Sequence, residues 1–165
     1  MKNVNGVRRP FDYLNDRYAV ACLEQAENGR SDVCFGSVLV KHDRILGRGW
    51  NRRATQEDRN RLTHVDYAIH AEQAAILDAI DRGHNPTGGT IYVLGFARTG
   101  PNKGQLTTRT QKIFVCRKCP HTLKRYNVNV CIPHIRGWSM LTPEQAARTG
   151  EQYSKDGYWK RFVKE

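Results

Sequence analysis

The order of apolar patterns along the 165 residues predicts an α/β sandwich. Segments rich in strand-forming residues alternate with segments whose apolar residues recur at helical spacing. That alternation is typical of helices packed on a sheet. No repeat, low-complexity segment or linker divides the chain, and its length suits a single core. We therefore expect residues 1–165 to form one domain.

The N-terminal part is predicted to contain a helix, a hairpin and a loop. Residues 10–27 carry apolar residues near helical spacing and are followed by Asn28 and Gly29, which commonly end a helix. Two segments rich in strand formers flank a short polar connection, which predicts a β-hairpin over residues 35–40 and 45–50. Residues 51–66 are polar and of mixed charge, and they are predicted as a loop.

The C-terminal part is predicted to alternate between helices and strands. Residues 68–82 have an apolar helical face, and a strand follows over residues 90–94. A basic insert near residues 95–112 is long for a loop, so it is either irregular or conceals a short hairpin. The remaining predicted elements are a short helix, a strand and a helical, basic tail, over residues 116–126, 128–132 and 142–165.

The charge distribution predicts an anionic partner. The formal net charge is +11, and no acidic residue lies between Asp81 and Glu144, so every charged side chain in that stretch is basic. Such a surface suits a nucleotide phosphate or a nucleic acid. No apolar run approaches the roughly 20 residues of a membrane helix, and the N-terminus lacks a signal-peptide core. We therefore expect a cytoplasmic protein with no membrane partner.

The five cysteines are expected to be reduced thiols, since an odd number without an export signal argues against a disulfide framework. Only Cys116 and Cys119 lie close together in the sequence. Residues three apart share a helix face, so both sulfurs can bind one metal ion. A helix N-terminus at this point would favour their thiolate forms.

An imidazole and a carboxylate complete the predicted metal site. One histidine and two thiolates hold Zn²⁺ with its fourth position open to water, which is the catalytic pattern. We therefore predict that His70, Cys116 and Cys119 bind Zn²⁺, and that Glu72 moves protons at the bound water. His70 and Glu72 cannot share a face within a helix, so His70 must lie at the helix start with Glu72 in the first turn.

Two other interpretations of these motifs remain open. A four-ligand structural zinc site would need one more ligand, for which the candidates are His64, His84, His121 and His134. A redox dithiol formed by the two cysteines would leave His70 and Glu72 without a role. The joint occurrence of both motifs in the order typical of zinc-dependent deaminases favours the catalytic site.

Residues 35–132 resemble the zinc-dependent cytidine/deoxycytidylate deaminase superfamily, and are most similar to its deoxycytidylate deaminases. The similarity lies in the run His-Ala-Glu-Gln-Ala-Ala-Ile at residues 70–76, in the Cys-x-x-Cys pair, and in the hairpin that ends at Asn51. It implies a three-layer α/β/α sandwich around a mixed sheet of about five strands, and a homo-oligomer. Val115 stands where the family usually has proline. Some phage-type members carry a second, structural zinc, for which Cys22, Cys34 and His64 are candidates.

The resemblance also implies where substrate binds. Asn51 corresponds to a substrate-binding asparagine of the family, and Ala71, within the His-Ala-Glu motif, is likewise assigned to the substrate site. Arg52, Arg109 and Lys112 are candidates for binding a phosphate because of their charge.

The implied reaction is the hydrolytic deamination of a cytosine nucleotide, with conversion of dCMP to dUMP and ammonia as the first choice. Glu72 would act as the proton shuttle and not as a zinc ligand. A base in RNA or single-stranded DNA is the alternative substrate, because the basic charge and the aromatic residues of the tail suit a polyanion. A non-catalytic, zinc-stabilised nucleic-acid-binding domain is a third hypothesis, and it leaves Glu72 without a role.

Overall fold

Helices and strands alternate in the computed structural model, which describes residues 10–65, 67–107 and 119–155, with side chains described as far as residue 149. A short 3₁₀ helix, Tyr13–Asn15, comes first. The helices of the described chain are α1 (Arg17–Ala26), α2 (Gln56–Arg61), α3 (Ala71–Asp81), α4 (Cys119–Tyr126) and α5 (Pro143–Lys155). Its strands are β1 (Val33–Lys41), β2 (Arg44–Trp50), β3 (Arg52–Arg53), β4 (Ala68–Ile69), β5 (Thr90–Ala97), β6 (Leu106–Thr107), β7 (Asn129–His134) and β8 (Gly137–Leu141).

The main sheet is mixed, with the strand order β2-β1-β5-β7-β8. Strand β1 is antiparallel to β2 and β5, whereas β5 is parallel to β7, and β8 returns antiparallel to β7. The short β6 pairs with the end of β5. Strands β3 and β4 form a separate antiparallel pair, called here the β3–β4 ribbon, which pairs Arg52 with Ile69 and Arg53 with Ala68.

The alternation of side chains along β1 divides the core into two layers. Val38 and Val40 pack on the side of α1, in a cluster that includes Cys22. Leu39 points to the opposite face, where its cluster contains residues of α3, α4 and α5, such as Ala75 and Leu123. The helices therefore cover both faces of the sheet, and the predicted three-layer α/β/α sandwich is confirmed.

Two glycines allow helices to lie directly on the strands. A Cβ atom added at Gly36 of β1 would overlap the Cys22 carbonyl oxygen of α1. A Cβ added at Gly47 of β2 would overlap the Ala75 carbonyl oxygen and lie 2.6 Å from the Ala79 nitrogen, both on α3. Because only glycine leaves room for such a close approach, these positions set the depth at which α1 and α3 pack on the sheet.

Two predictions for the segment before α3 were wrong: a helix was missed, and the start of α3 was placed too early. The predicted loop over residues 51–66 contains α2, which begins with a capping box in which the side chains of Thr55 and Asp58 each accept from the backbone N–H of the other residue. This helix is polar, so it lacked the apolar periodicity used for prediction. The helix predicted from residue 68 begins at Ala71, because Ala68 and Ile69 pair with β3.

Further differences concern the strands after α3. Strand β5 extends to Ala97, and its pairing with β6 is the short hairpin considered for the basic insert. Strand β8 was not predicted. Its side chains are only half-buried, with Met140 56% exposed, so it has little of the apolar alternation that identifies a strand.

None of the helices in the described ranges combines the length and the apolar character needed to cross a bilayer.

Replacing Gly47 by alanine should destabilise the protein by about 1–3 kcal/mol, the usual cost of overpacking a well-packed contact. The added methyl group would overlap the Ala75 carbonyl and force α3 away from β2. Urea unfolding of Gly47→Ala and of Arg48→Ala, an exposed neighbour on the same strand, measures this cost. Equal stability of the two variants would show that α3 moves without penalty.

Candidate active site

His70 lies where the chain turns from the β3–β4 ribbon into α3. Its backbone is extended, with φ −82° and ψ 157°, and its carbonyl accepts the first helical hydrogen bond, from the Ala74 nitrogen at 2.9 Å. The residue before it, Ile69, is fully buried and anchors this entry. His70 is therefore the N-cap of α3, the position that its spacing from Glu72 requires.

The side chains of His70 and Cys119 meet, although they are 49 residues apart in the sequence. Cys119 is the first described residue of α4 and is fully buried, and its Sγ lies 3.3 Å from His70 Nδ1. In tetrahedral zinc sites, Zn–S is about 2.3 Å and Zn–N about 2.0–2.1 Å, which places the two ligand atoms about 3.5 Å apart. The pair therefore fits one zinc ion. Cys116, the third predicted ligand, lies outside the described residues.

Glu72, in the first turn of α3, is a buried carboxylate, with 8% of its surface exposed. It lies close enough to Cys22 to act on that thiol electrostatically. Burial raises the pKa of the Cys22 thiol far above its usual range, and the carboxylates of Asp16 and Glu72 act in the same direction. Cys22 is therefore a neutral thiol at physiological pH, and it donates to the Tyr92 carbonyl oxygen at 3.3 Å.

A buried amide links the two helices that carry His70 and Cys119. The Gln73 side chain accepts a hydrogen bond from the His70 backbone nitrogen at 3.1 Å and donates to the Thr122 hydroxyl of α4 at 3.3 Å. Gln73 is fully buried and Thr122 is 3% exposed. In such a dry environment each bond would be costly to lose, so Gln73 holds the start of α3 in register with α4.

Gln73 and Thr122 were not among the predicted site residues. A signal for Gln73 was present, since a polar residue interrupts the apolar face of α3 three residues after His70, the spacing of a capping box. Thr122 had no comparable signal, because its partner lies 49 residues away.

Asn51 directly follows β2, and its side chain is bound to the start of β1. Its Oδ1 accepts from the Phe35 nitrogen at 2.8 Å, and its Nδ2 donates to the Val33 carbonyl oxygen at 3.2 Å. An amide nitrogen carries two hydrogens, so one donor is left beyond this contact. The structure thus gives Asn51 a defined orientation, and its contact with substrate stays a prediction.

Of the three predicted phosphate ligands, the structure describes one, Arg52. Arg52 forms a bidentate contact with Asp58, whose nearer oxygen is 2.7 Å from Nη1. Burial opposes ionisation of this carboxyl, but hydrogen bonds from Arg52 and Thr55 hold the pKa of Asp58 below its usual value. Arg52 therefore has a structural partner, and its phosphate contact stays a prediction. Arg109 and Lys112 lie outside the described residues.

The residues suggested for a second zinc do not come together. The Cys34 thiol donates to the Ser31 carbonyl oxygen at 3.2 Å, while the His64 ring stacks on His121 with centroids 3.7 Å apart. Across residues 10–65, 67–107 and 119–155, no group of three His, Cys, Asp or Glu side chains is arranged to hold a metal. The suggestion of a site formed by Cys22, Cys34 and His64 was therefore wrong.

Removal of the Gln73 bridge should weaken metal binding about 10- to 100-fold, the usual effect of losing a group that orients a ligand. The variant Thr122→Val breaks one bond of the bridge and Gln73→Leu breaks both. Competition with a chelator measures zinc affinity, and Thr149→Val, which removes a hydroxyl bonded within α5, is the control. Unchanged affinity in Gln73→Leu would contradict the role assigned to the bridge.

Comparison with known proteins identifies the family. The model described as the cytidine and deoxycytidylate deaminase zinc-binding region matches residues 14–133, which include His70, Cys116 and Cys119. No curated protein matches the chain in sequence.

Solved structures of two kinds of deaminase are similar to the chain at low identity. The dCMP deaminase of cyanophage S-TIM5 in apo form is 20% identical, with a TM-score of 0.37 over 58% of this chain and 62% of that chain. Its complex with dCMP and dUMP gives 19% identity and a TM-score of 0.38 over 65% and 74%. The cytidine deaminase of Burkholderia pseudomallei gives 17% identity and a TM-score of 0.46 over 77% and 94%.

The match in sequence spans most of the chain and contains both metal-binding motifs. The cofactor prediction, Zn²⁺, is confirmed by the zinc-binding region that defines this family. The chain therefore belongs to the cytidine and deoxycytidylate deaminase family.

Proposed function

We propose that the protein is a zinc-dependent hydrolytic deaminase of cytosine nucleotides, and that it converts dCMP to dUMP and ammonia. The observation that carries this proposal is the approach of His70 Nδ1, at the start of α3, to Cys119 Sγ of α4, at 3.3 Å, with Glu72 in the first turn of α3. The net charge of +11 supports a phosphorylated substrate.

His70, Cys116 and Cys119 would hold the zinc ion. When bound, zinc would supply Lewis-acid chemistry that lowers the pKa of a water molecule to about 7. Gln73 keeps the His70 backbone in place relative to α4.

Glu72 moves the protons of the reaction. Its carboxylate takes a proton from the attacking water and delivers it to the ring nitrogen of cytosine, next to the carbon that bears the amino group. The carboxylate next takes the remaining proton of that water, which is now the hydroxyl group on the ring carbon, and passes it to the amino group. The carbon–nitrogen bond breaks, ammonia leaves and the ring carbonyl forms. Its burial suits this role, because bulk water is largely excluded from the proton transfers.

Asn51 and Ala71 orient the pyrimidine. The remaining Nδ2 hydrogen of Asn51 can donate to the substrate, since the rest of its amide is bound to β1. Ala71 is the first residue of α3, so its backbone N–H has no acceptor within the helix and can donate to the substrate.

A polynucleotide substrate is the second candidate, favoured by the net charge and by Tyr67, which is 88% exposed next to the site. The salt dependence of binding distinguishes the two kinds of substrate. Binding to a strand that contacts several phosphates weakens steeply as salt rises, whereas binding of one mononucleotide weakens much less.

The variant Glu72→Gln should lose about 10²- to 10⁴-fold in turnover, the usual contribution of a positioned acid–base group. It should retain zinc, because Glu72 is not a ligand in this mechanism. Ammonia release and bound metal are measured together, with Glu144→Gln, an exposed acid in α5, as the matched control. An active variant, or one that folds without zinc, would refute the proton-shuttle role.

Among cytosine and adenine nucleosides, their mono- and triphosphates and short oligonucleotides, dCMP should give the highest kcat/KM. The reason is that the run of residues 70–76 resembles that of deoxycytidylate deaminases, and the net charge of +11 suits a phosphorylated substrate. Ammonia release gives the rates. A higher kcat/KM for an oligonucleotide, with a steep salt dependence, would replace dCMP with a polynucleotide as the substrate.

A further inference from the structure

A cavity of about 420 Å³ opens beside the β3–β4 ribbon, lined by Arg53, Ala54, Arg59, Val65 and Tyr67. We propose that this cavity binds the phosphate of the nucleotide that is deaminated at the zinc site, with Arg53 as the phosphate ligand and Tyr67 as a ring against the sugar or base. The inference deepens the proposed function and rests on it.

The ribbon joins the cavity to the catalytic residues. Arg53 is two residues from Asn51, and Tyr67 is three residues from His70. At about 3.3 Å per extended residue, these separations are at most about 7 Å and 10 Å. A single nucleotide can therefore place its base at the metal-binding residues and its phosphate in the cavity. The ribbon is held closed at this end by a hydrogen bond from the Ala54 nitrogen to the Tyr67 carbonyl oxygen, at 2.8 Å.

The alternation of side chains along β3 separates the roles of its two arginines. Arg52 is paired with Ile69, which is fully buried, and its guanidinium is held by Asp58. Arg53 is paired with Ala68, is exposed and lines the cavity. Its guanidinium makes no hydrogen bond or ion pair with the residues that the structure describes. A guanidinium carries five donors in a geometry that matches the oxygens of a phosphate, so Arg53 can bind a phosphate in the cavity that it lines.

A second positive charge is built into the cavity wall. Arg59 donates through Nη1 to the Ala54 carbonyl oxygen and through Nη2 to Gln56 Oε1, both at 3.3 Å. These contacts hold its guanidinium at the wall of the cavity that Arg53 also lines. Two cations close together disfavour a neutral ligand and favour an anion.

Tyr67 is the aromatic component of the site. Its side chain is 88% exposed, which is unusual for a large ring, whereas the neighbouring Ala54 and Val65 are only 7% and 8% exposed. An exposed ring above an apolar floor offers a surface on which a sugar or base can pack. The volume also lies within the range of about 300–1,000 Å³ typical of small-molecule sites.

The test compares dCMP with deoxycytidine, which differ only in the phosphate. Binding is measured by calorimetry on zinc-loaded protein in the Glu72→Gln background, so that no turnover occurs. We expect Arg53→Gln to weaken dCMP binding about tenfold or more, the scale of a lost charged contact, and to leave deoxycytidine unchanged. Arg44→Gln, which removes an exposed arginine at the opposite end of β2, should alter neither. Tyr67→Ala should weaken dCMP binding, and Tyr67→Phe should restore it.

Two outcomes would overturn the inference: no loss of dCMP binding in Arg53→Gln, or an equal loss for deoxycytidine. A loss confined to a short oligonucleotide would overturn it as well, and would assign the cavity to a strand. A different result would refute the proposed function. If the unsubstituted protein releases no ammonia from dCMP but binds it in an Arg53-dependent manner, the reaction is rejected and the phosphate site is supported.

Discussion

The two hydrogen bonds of the buried Gln73 side chain are the contact on which the site depends. They join the His70 backbone at the start of α3 to Thr122 of α4, so the helix that carries the imidazole and the helix that carries the Cys119 thiol cannot shift independently. The sheet sets the position of this pair, because Gly47 lets α3 lie against β2 without an intervening side chain. Packing thus brings the helices together, and a polar bridge then aligns them.

Much of the site could be predicted from the sequence because its chemistry restricts the local structure. A histidine that binds a metal and a glutamate two residues later can face the same site only where a helix starts. His70 is the N-cap of α3, as this spacing requires. The strands that form the centre of the sheet carried clear apolar patterns. Helix α2 and strand β8 did not, since α2 begins through the polar capping box of Thr55 and Asp58, and β8 is half-buried against β7. Both elements are held by specific contacts, a capping box and a neighbouring strand, which leave no apolar periodicity in the sequence.

Adjacent residues of the same type show why the proposed phosphate site was harder to predict. Arg52 and Arg53 carry equal charge and are neighbours in the sequence, so composition cannot distinguish them. The structure distinguishes the two arginines, because Arg52 is bound to the buried Asp58 whereas Arg53 is exposed. An arginine next to a motif is therefore informative about a ligand only after its acidic neighbours have been located in three dimensions.

The separation of His70 and Cys119 by 49 residues has a consequence for the stability of the fold. A metal held by both side chains closes a long loop that includes α3, β5 and β6. The entropy of closing such a loop would otherwise oppose folding, and a cross-link removes it from the unfolded state. Ions that bind only the folded chain also stabilise it by mass action. Zinc bound by both side chains would therefore also link α3 to α4 and stabilise the fold, and loss of the metal would weaken the site and the fold together.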